Sequence, residues 1–186
     1  MNNYWEDRYK LKGNSGLGSY GIIGDEKANF INNFIIKNEI KTISDFGCGD
    51  GNQISLLTSY ELYHGYDISN YIISECRNKF KDNNNMMFYN NISDLPNSDL
   101  CMSLDVIYHI IDIESYESYL NNLFNKSNKY VIIFSSNHER NDVNTTHIYH
   151  RIFTEWINNN ILDFTLIEES NNFPNTSAKF FVYKKI

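Results

Sequence analysis

An α/β fold, with seven strands in one mostly parallel sheet, is predicted by three observations. Apolar strand-like runs alternate with segments of helical length, a glycine-rich turn closes the first run, and the last two runs are joined by a connection too short to cross over. Residues 1–21 cluster Tyr4, Trp5, Tyr9 and Tyr20 around GNSGLGSYG, too flexible for a core strand, so a short helix followed by a loop is expected. Residues 25–38, DEKANFINNFIIKN, set Ala28, Phe30, Ile31, Phe34 and Ile35 near helical spacing, with Asp25 available as N-cap.

Beyond residue 40 the alternation begins. KTISDFG reads as a strand ending in a glycine turn, NQISLLTSY as a helix, LYHGYD as a strand, and SNYIISECRNKF as a helix capped by Ser69. MMFYN, DLCMSLD and KYVIIFSS are three more strands, with the helix SYESYLNNLFNKS between the last two. Helices of this length between strands imply βαβ units with right-handed crossovers. FTEWINNN is a further helix. ILDFTLIEES and AKFFVYKKI, joined by the short NNFPNTS, should form an antiparallel hairpin at the sheet edge.

The 186 residues suit a single domain with a real core. A net charge of -7 offers no general basic field for nucleic acid or an anionic membrane, so a small-molecule or glycan partner is expected. No stretch approaches the roughly 18 to 20 apolar residues that span a bilayer. Cys48, Cys76 and Cys101 are scattered and form no CxxC pair, so we read reduced thiols in a cytoplasmic protein. The asparagine runs at 83–85 and 158–160 reflect coding bias and carry no chemistry.

DFGCGDG, residues 45–51, carries the strongest chemical signal. Gly47, Gly49 and Gly51 let the backbone turn tightly and approach a ligand closely. The next strand ends in YDIS, where Asp67 can accept hydrogen bonds from two ribose hydroxyls. A dinucleotide fingerprint starting at Gly47 would need glycine at 52, where Asn52 stands, and no GK[ST] follows for a phosphate loop. Asp45, just before the first glycine, suits a ligand ammonium and would repel a pyrophosphate. The cofactor indicated is S-adenosylmethionine.

With DFGCGDG, the acid of YDIS, the strand DLCMSLDVIYH and the terminal strand pair in place, the chain resembles the class I S-adenosylmethionine-dependent methyltransferases over nearly its whole length. WEDRYKLKGNSGLGSYG, SLDVIYHI and HRIFTEW look like a small subgroup associated with sugar or polysaccharide modification. The resemblance implies a Rossmann-like sheet with helices on both faces. It divides the single domain, 1–186, into an N-terminal lid segment, 1–24, a cofactor-binding core, 41–136, and an acceptor-side loop, helix and hairpin, 137–186. It also implies cofactor contacts from Asp45, Gly47, Cys48, Gly49, Asp67, Ile68, Ser103 and Leu104, with Trp5 and Tyr20 closing over the site. The NPPY-like signature of adenine- and glutamine-specific relatives is missing at SLDVIYHI.

Methyl transfer to a hydroxyl needs an in-line approach and a proton acceptor, and histidine serves near neutral pH. His109, His147 and His150 are the candidate bases, with Asp105 to orient one of them. Asp105 could instead cap the following helix, and His109 could be a packed core histidine. In THIYHRIFTEW one helical turn would direct His147, His150 and Arg151 toward one area, Arg151 clamping an anionic group of the acceptor. Tyr108 is a candidate acceptor contact, more readily explained as core. No metal is assigned, although Asp105, His109, His147 and His150 would make a reasonable ligand set. The reading is a methyltransferase, EC 2.1.1.-, acting on a small or sugar-like acceptor, with oxygen as the expected acceptor atom. The alternatives are a catalytically silent S-adenosylmethionine-binding module and, less favoured, an NAD-dependent oxidoreductase.

Overall fold

The computed structural model describes residues 4–142, 145–171, 173 and 176–186. The described elements run α1 (Tyr4–Lys10), α2 (Gly21–Lys37), β1 (Thr42–Phe46), β2 (Leu62–Tyr66), α3 (Asn70–Lys79), β3 (Met86–Tyr89), β4 (Ser98–Leu104), α4 (Ile113–Asn125), β5 (Ser127–Ser135), α5 (Phe153–Asn160), β6 (Phe164–Glu169) and β7 (Lys179–Lys185). The seven strands form one sheet in the order β3-β2-β1-β4-β5-β7-β6. Pairs among β1 to β5 are parallel, and β7 runs antiparallel to both β5 and β6. The strands and the terminal hairpin therefore stand as the sequence predicts, with three of the NNFPNTS positions (172, 174, 175) outside the described residues.

Alternation along the central strands explains the two apolar layers. In β5 Ile132 and Phe134 face the layer that holds Ile31 and Ile35 of α2, while Val131 and Ile133 face Leu120, Leu123 and Phe124 of α4. In β7 Phe180 and Val182 join the first layer, Phe181 and Tyr183 the second. Strands buried on both faces read as continuous apolar runs, which is what KYVIIFSS and AKFFVYKKI show. Among the described residues no helix is long and apolar enough to cross a membrane.

Three predicted helices differ from the structure, each for a local reason. α2 starts at Gly21, with Tyr20 in the N-cap position, so Asp25 lies within the helix and caps nothing. Gly21, at φ +59°, turns the chain out of the preceding loop directly into the helix. NQISLLTSY holds only one 3₁₀ turn, Ile54–Leu56. There Asn32 of α2 donates to the Leu56 carbonyl and accepts from the Thr58 amide, taking backbone groups that a helix would use. The stretch 146–152 is not helical either, and α5 begins at Phe153. The Asn141 side chain accepts from the His150 amide and donates to the His150 carbonyl, while the Tyr149 amide donates to the Tyr108 carbonyl.

Candidate functional site

The loop after β1 is pinned to the end of β2, because the Gly47 and Cys48 amides both donate to the Tyr66 carbonyl, at 2.7 and 3.0 Å. Gly47 sits at φ +83°, and a Cβ there would lie 2.5 Å from Val106 Cγ2. At Gly49 a Cβ would meet Ser15 Oγ at 2.3 Å. Only glycine lets this loop pass between the β4 exit and the N-terminal segment.

Two buried carboxylates flank the loop. Asp45 Oδ2 accepts from the Tyr63 hydroxyl at 2.9 Å, and Asp67 accepts from the Gly49 amide at 3.1 Å and from the Ser69 amide at 2.9 Å. Burial pushes both acids up to about 6; the Tyr63 bond and then Lys27 oppose this at Asp45, the two amide bonds at Asp67. A carboxylate offers about four acceptor positions, so Asp67 keeps capacity for ribose hydroxyls.

These groups open onto a cavity of about 740 Å³, within the roughly 300–1,000 Å³ usual for small-molecule sites. Asp45, Gly47, Cys48, Asp67, Ile68 and Leu104 line it, and Trp5 closes one side. These seven expected cofactor contacts share one wall system. Gly49 acts through its amide on Asp67. Ser103 and Tyr20 do not line the cavity: the Ser103 hydroxyl pairs with Tyr119 at 2.7 Å on the α4 side, and Tyr20 donates to Asp50 at 2.8 Å.

Tyr20 nonetheless belongs to a hydrogen-bonded cluster that ties the N-terminal segment to the loop after β1. Asp50 Oδ2 also accepts from the Ser15 amide at 2.8 Å, and the Asp50 amide donates to Ser15 Oγ at 3.0 Å. Glu6 of α1 accepts from the Ser69 hydroxyl and the Tyr71 amide at the start of α3. Nothing in the local pattern of Glu6 or Asp50 distinguished them from solvated acids.

The acceptor-side residues separate. His109 lines the cavity, edge-on to Trp5 with ring centroids 4.9 Å apart, and its Nδ1 lies 2.9 Å from the His147 carbonyl. A carbonyl only accepts, so Nδ1 carries the proton and the lone pair is left on Nε2. Burial lowers its pKa. His147 stacks between Tyr4 and His109 and lines no part of the cavity. His150 turns away, its Nδ1 at 2.6 Å from Ser136 Oγ and its ring against His138.

Arg151 is spent internally: it donates to the Ile110 and Ile111 carbonyls and lies between the rings of Tyr116 and Tyr149. It braces the loop before α4 and does not line the cavity, so it is not placed to clamp an acceptor anion there. The expected convergence of His147, His150 and Arg151 on one area is not seen, since the segment that carries them is not helical.

Asp105 sits at the β4 exit with φ +61° and lines the cavity, but it orients no histidine. Its carboxylate accepts from Lys27 Nζ at 2.7 Å and from the Tyr108 hydroxyl at 2.9 Å, which also makes Tyr108 a support for Asp105 outside the cavity wall. The Lys27 side chain is 1 % exposed. Its signal in the sequence was a lysine set into the apolar stripe of Ala28, Ile31, Phe34 and Ile35. No group of three or more His, Cys, Asp or Glu able to hold a metal occurs among the described residues.

Residues 44–126 match the family model described as a methyltransferase domain. No curated protein sequence matches the chain. Among solved structures, the chain is similar to the N-methyltransferase NodS from Bradyrhizobium japonicum WM9 in complex with S-adenosyl-L-homocysteine, at TM-score 0.77 and 11% identity, covering 99% of each chain. It is similar to magnesium protoporphyrin IX methyltransferase from Synechocystis PCC 6803 with the same product bound, at TM-score 0.72 and 16% identity, covering 100% of this chain and 96% of that one. An S-adenosylmethionine-dependent methyltransferase from Clostridium acetobutylicum ATCC 824 gives TM-score 0.69 at 16% identity, with 99% of each chain covered. At such identities the structures speak for the fold, and the family model speaks for residues 44–126. Together, the strand order and these structures give the chain the class I methyltransferase fold, and residues 44–126 within it match the methyltransferase-domain model.

Proposed function

We propose that the protein methylates a hydroxyl of a small, uncharged acceptor, a sugar or glycan being the class in view, with His109 as general base. The observation that carries the reading is a neutral imidazole of fixed tautomer on the wall of the cavity that Asp45, Gly47 and Asp67 also line. S-adenosylmethionine supplies an electrophilic methyl group on a sulfonium. Asp67 would hold the ribose hydroxyls and Asp45 the ammonium, and the loop 47–51 would let the backbone lie close. Trp5 and Tyr9 close the cavity against water, and His109 Nε2 would take the acceptor proton as the oxygen attacks in line.

Among the described residues no lysine or arginine lines the cavity, which supports an acceptor without phosphate or carboxylate groups. The missing basic field argues in the same direction against nucleic acid. Three free, buried cysteines support a reducing, cytoplasmic setting.

Calorimetry with S-adenosylmethionine, S-adenosylhomocysteine and NAD, followed by release of S-adenosylhomocysteine with a panel of sugar and phenolic acceptors, tests the reading. Binding of the first two and turnover that His109→Ala abolishes without loss of cofactor affinity are expected. Binding of NAD alone would overturn the proposal, and cofactor binding with no turnover on any acceptor would favour a regulatory module.

A further inference from the structure

Four buried side-chain atoms among the described residues have no hydrogen-bond partner: Gln53 Oε1, Tyr116 Oη, Ser135 Oγ and Tyr183 Oη. Of these residues Gln53 alone lines the cavity. It is 6% exposed, and its Nε2 donates to the Gly24 carbonyl of α2 at 3.1 Å. That bond settles the amide orientation, because a carbonyl needs the NH₂ group. Oε1 is consequently an acceptor held in place, buried, and lacking a donor. Such a group is costly to retain unless something fills it.

Its surroundings define the missing donor. Asp45 lines the same cavity, so its wall presents two acceptors from the segment around the glycine loop. The neighbouring cation, Lys27, is committed to Asp105. Asp67, across the loop, is placed for the ribose. The ligand part that reaches Asp45 and Gln53 is therefore a donor, which fits an ammonium and excludes a carboxylate.

We infer that Gln53 Oε1 accepts a hydrogen bond from the methionine ammonium of S-adenosylmethionine, sharing that group with Asp45. The inference rests on the methyltransferase reading and adds a positioning residue that fixes the amino-acid end of the cofactor, and through it the direction of the sulfonium. Nothing in NQISLLTSY signals this role, since a glutamine in a turn is ordinarily solvated.

The test uses the full chain and two ligands: S-adenosylhomocysteine, and its analogue in which hydrogen replaces the amino group. Calorimetry on Gln53→Leu and Gln53→Met should show S-adenosylhomocysteine weakened about tenfold or more, while the deaminated analogue binds wild type and variants alike. Thermal unfolding of the free proteins identifies any variant that is misfolded, and the second substitution guards against that outcome for the first. Equal weakening of both ligands would make Gln53 a structural residue and overturn the inference, as would unchanged affinity for S-adenosylhomocysteine. Failure of the wild-type protein to bind S-adenosylhomocysteine would instead remove the underlying methyltransferase reading, and the inference with it.

Discussion

Replacing Lys27 by methionine is expected to cost about 3 kcal/mol of stability. Removing one partner of a buried ion pair costs roughly 3–5 kcal/mol, because the other charge is left without compensation. The lower end applies here, since the Asp105 side chain is 20% exposed and keeps the Tyr108 hydroxyl. For 186 residues, where 1 kcal/mol moves the midpoint by about 2–4 °C, the expected fall in Tm is about 6–12 °C. Adding Asp105→Asn should restore much of it. Asparagine tolerates the left-handed backbone at φ +61° and still accepts from Tyr108, while the stranded charge is gone. Urea unfolding of wild type, both single variants and the double variant forms the cycle, with a coupling of about 1–3 kcal/mol expected. A Lys27→Met loss below about 1 kcal/mol, or a double variant no better than the single, would refute the argument that Asp105 depends on Lys27.

Asp67→Ala should weaken S-adenosylhomocysteine by about 10- to 100-fold, the value of hydrogen bonds to a charged acceptor, as read by calorimetry. Because Asp45 and Asp67 are held up to about 6, affinity should fall as pH drops from 7 to 5; each carboxylate would contribute about tenfold, and a flat profile over that range contradicts their role. If neutral His109 is the base, turnover at saturating cofactor should rise with pH and level off through a pKa below the ordinary histidine value of 6.5, since burial lowers it. A limb centred above 6.5 would remove His109. His150→Ala should leave both binding and turnover unchanged in the same assays. Asp50→Ala, which frees Ser15 and Tyr20 together, should speed release of S-adenosylhomocysteine about tenfold in stopped flow; an unaltered rate would show that this cluster does not limit exit.

The sheet was legible because its causes are local. Period-two and fully apolar runs mark strands, and three glycines after KTISDF mark the turn that borders the cavity. The places of Asp45 and Asp67 on the cavity wall were legible for the same reason: one lies just inside the end of β1 and the other just past the end of β2. Illegibility began where a residue's role depends on a distant partner. Lys27 meets Asp105 across 78 positions, and Ser15 meets Asp50 across 35. Neither separation leaves a pattern in the chain. THIYHRIFTEW misled because its spacing suits a helix, whereas Asn141 takes the backbone groups of His150 that a helix would need. NQISLLTSY misled in the same way, with Asn32 as the competitor.

The place of β7 carries a further consequence, for synthesis. β6 precedes β7 in the chain, yet β7 lies between β5 and β6 and contributes the buried Phe180, Phe181, Val182 and Tyr183. A nascent chain that has left the ribosome only as far as β6 holds β1 to β5 with an open, strongly apolar β5 edge and no neighbour for β6. Such an edge invites pairing with other chains. Completion of the sheet then awaits insertion of a later strand between two earlier ones, a long-range and comparatively slow pairing. The interval between β6 and β7 leaving the ribosome is the one in which this protein would draw most on chaperones, and in which a ribosome stalled just short of Phe180 would display an adhesive edge.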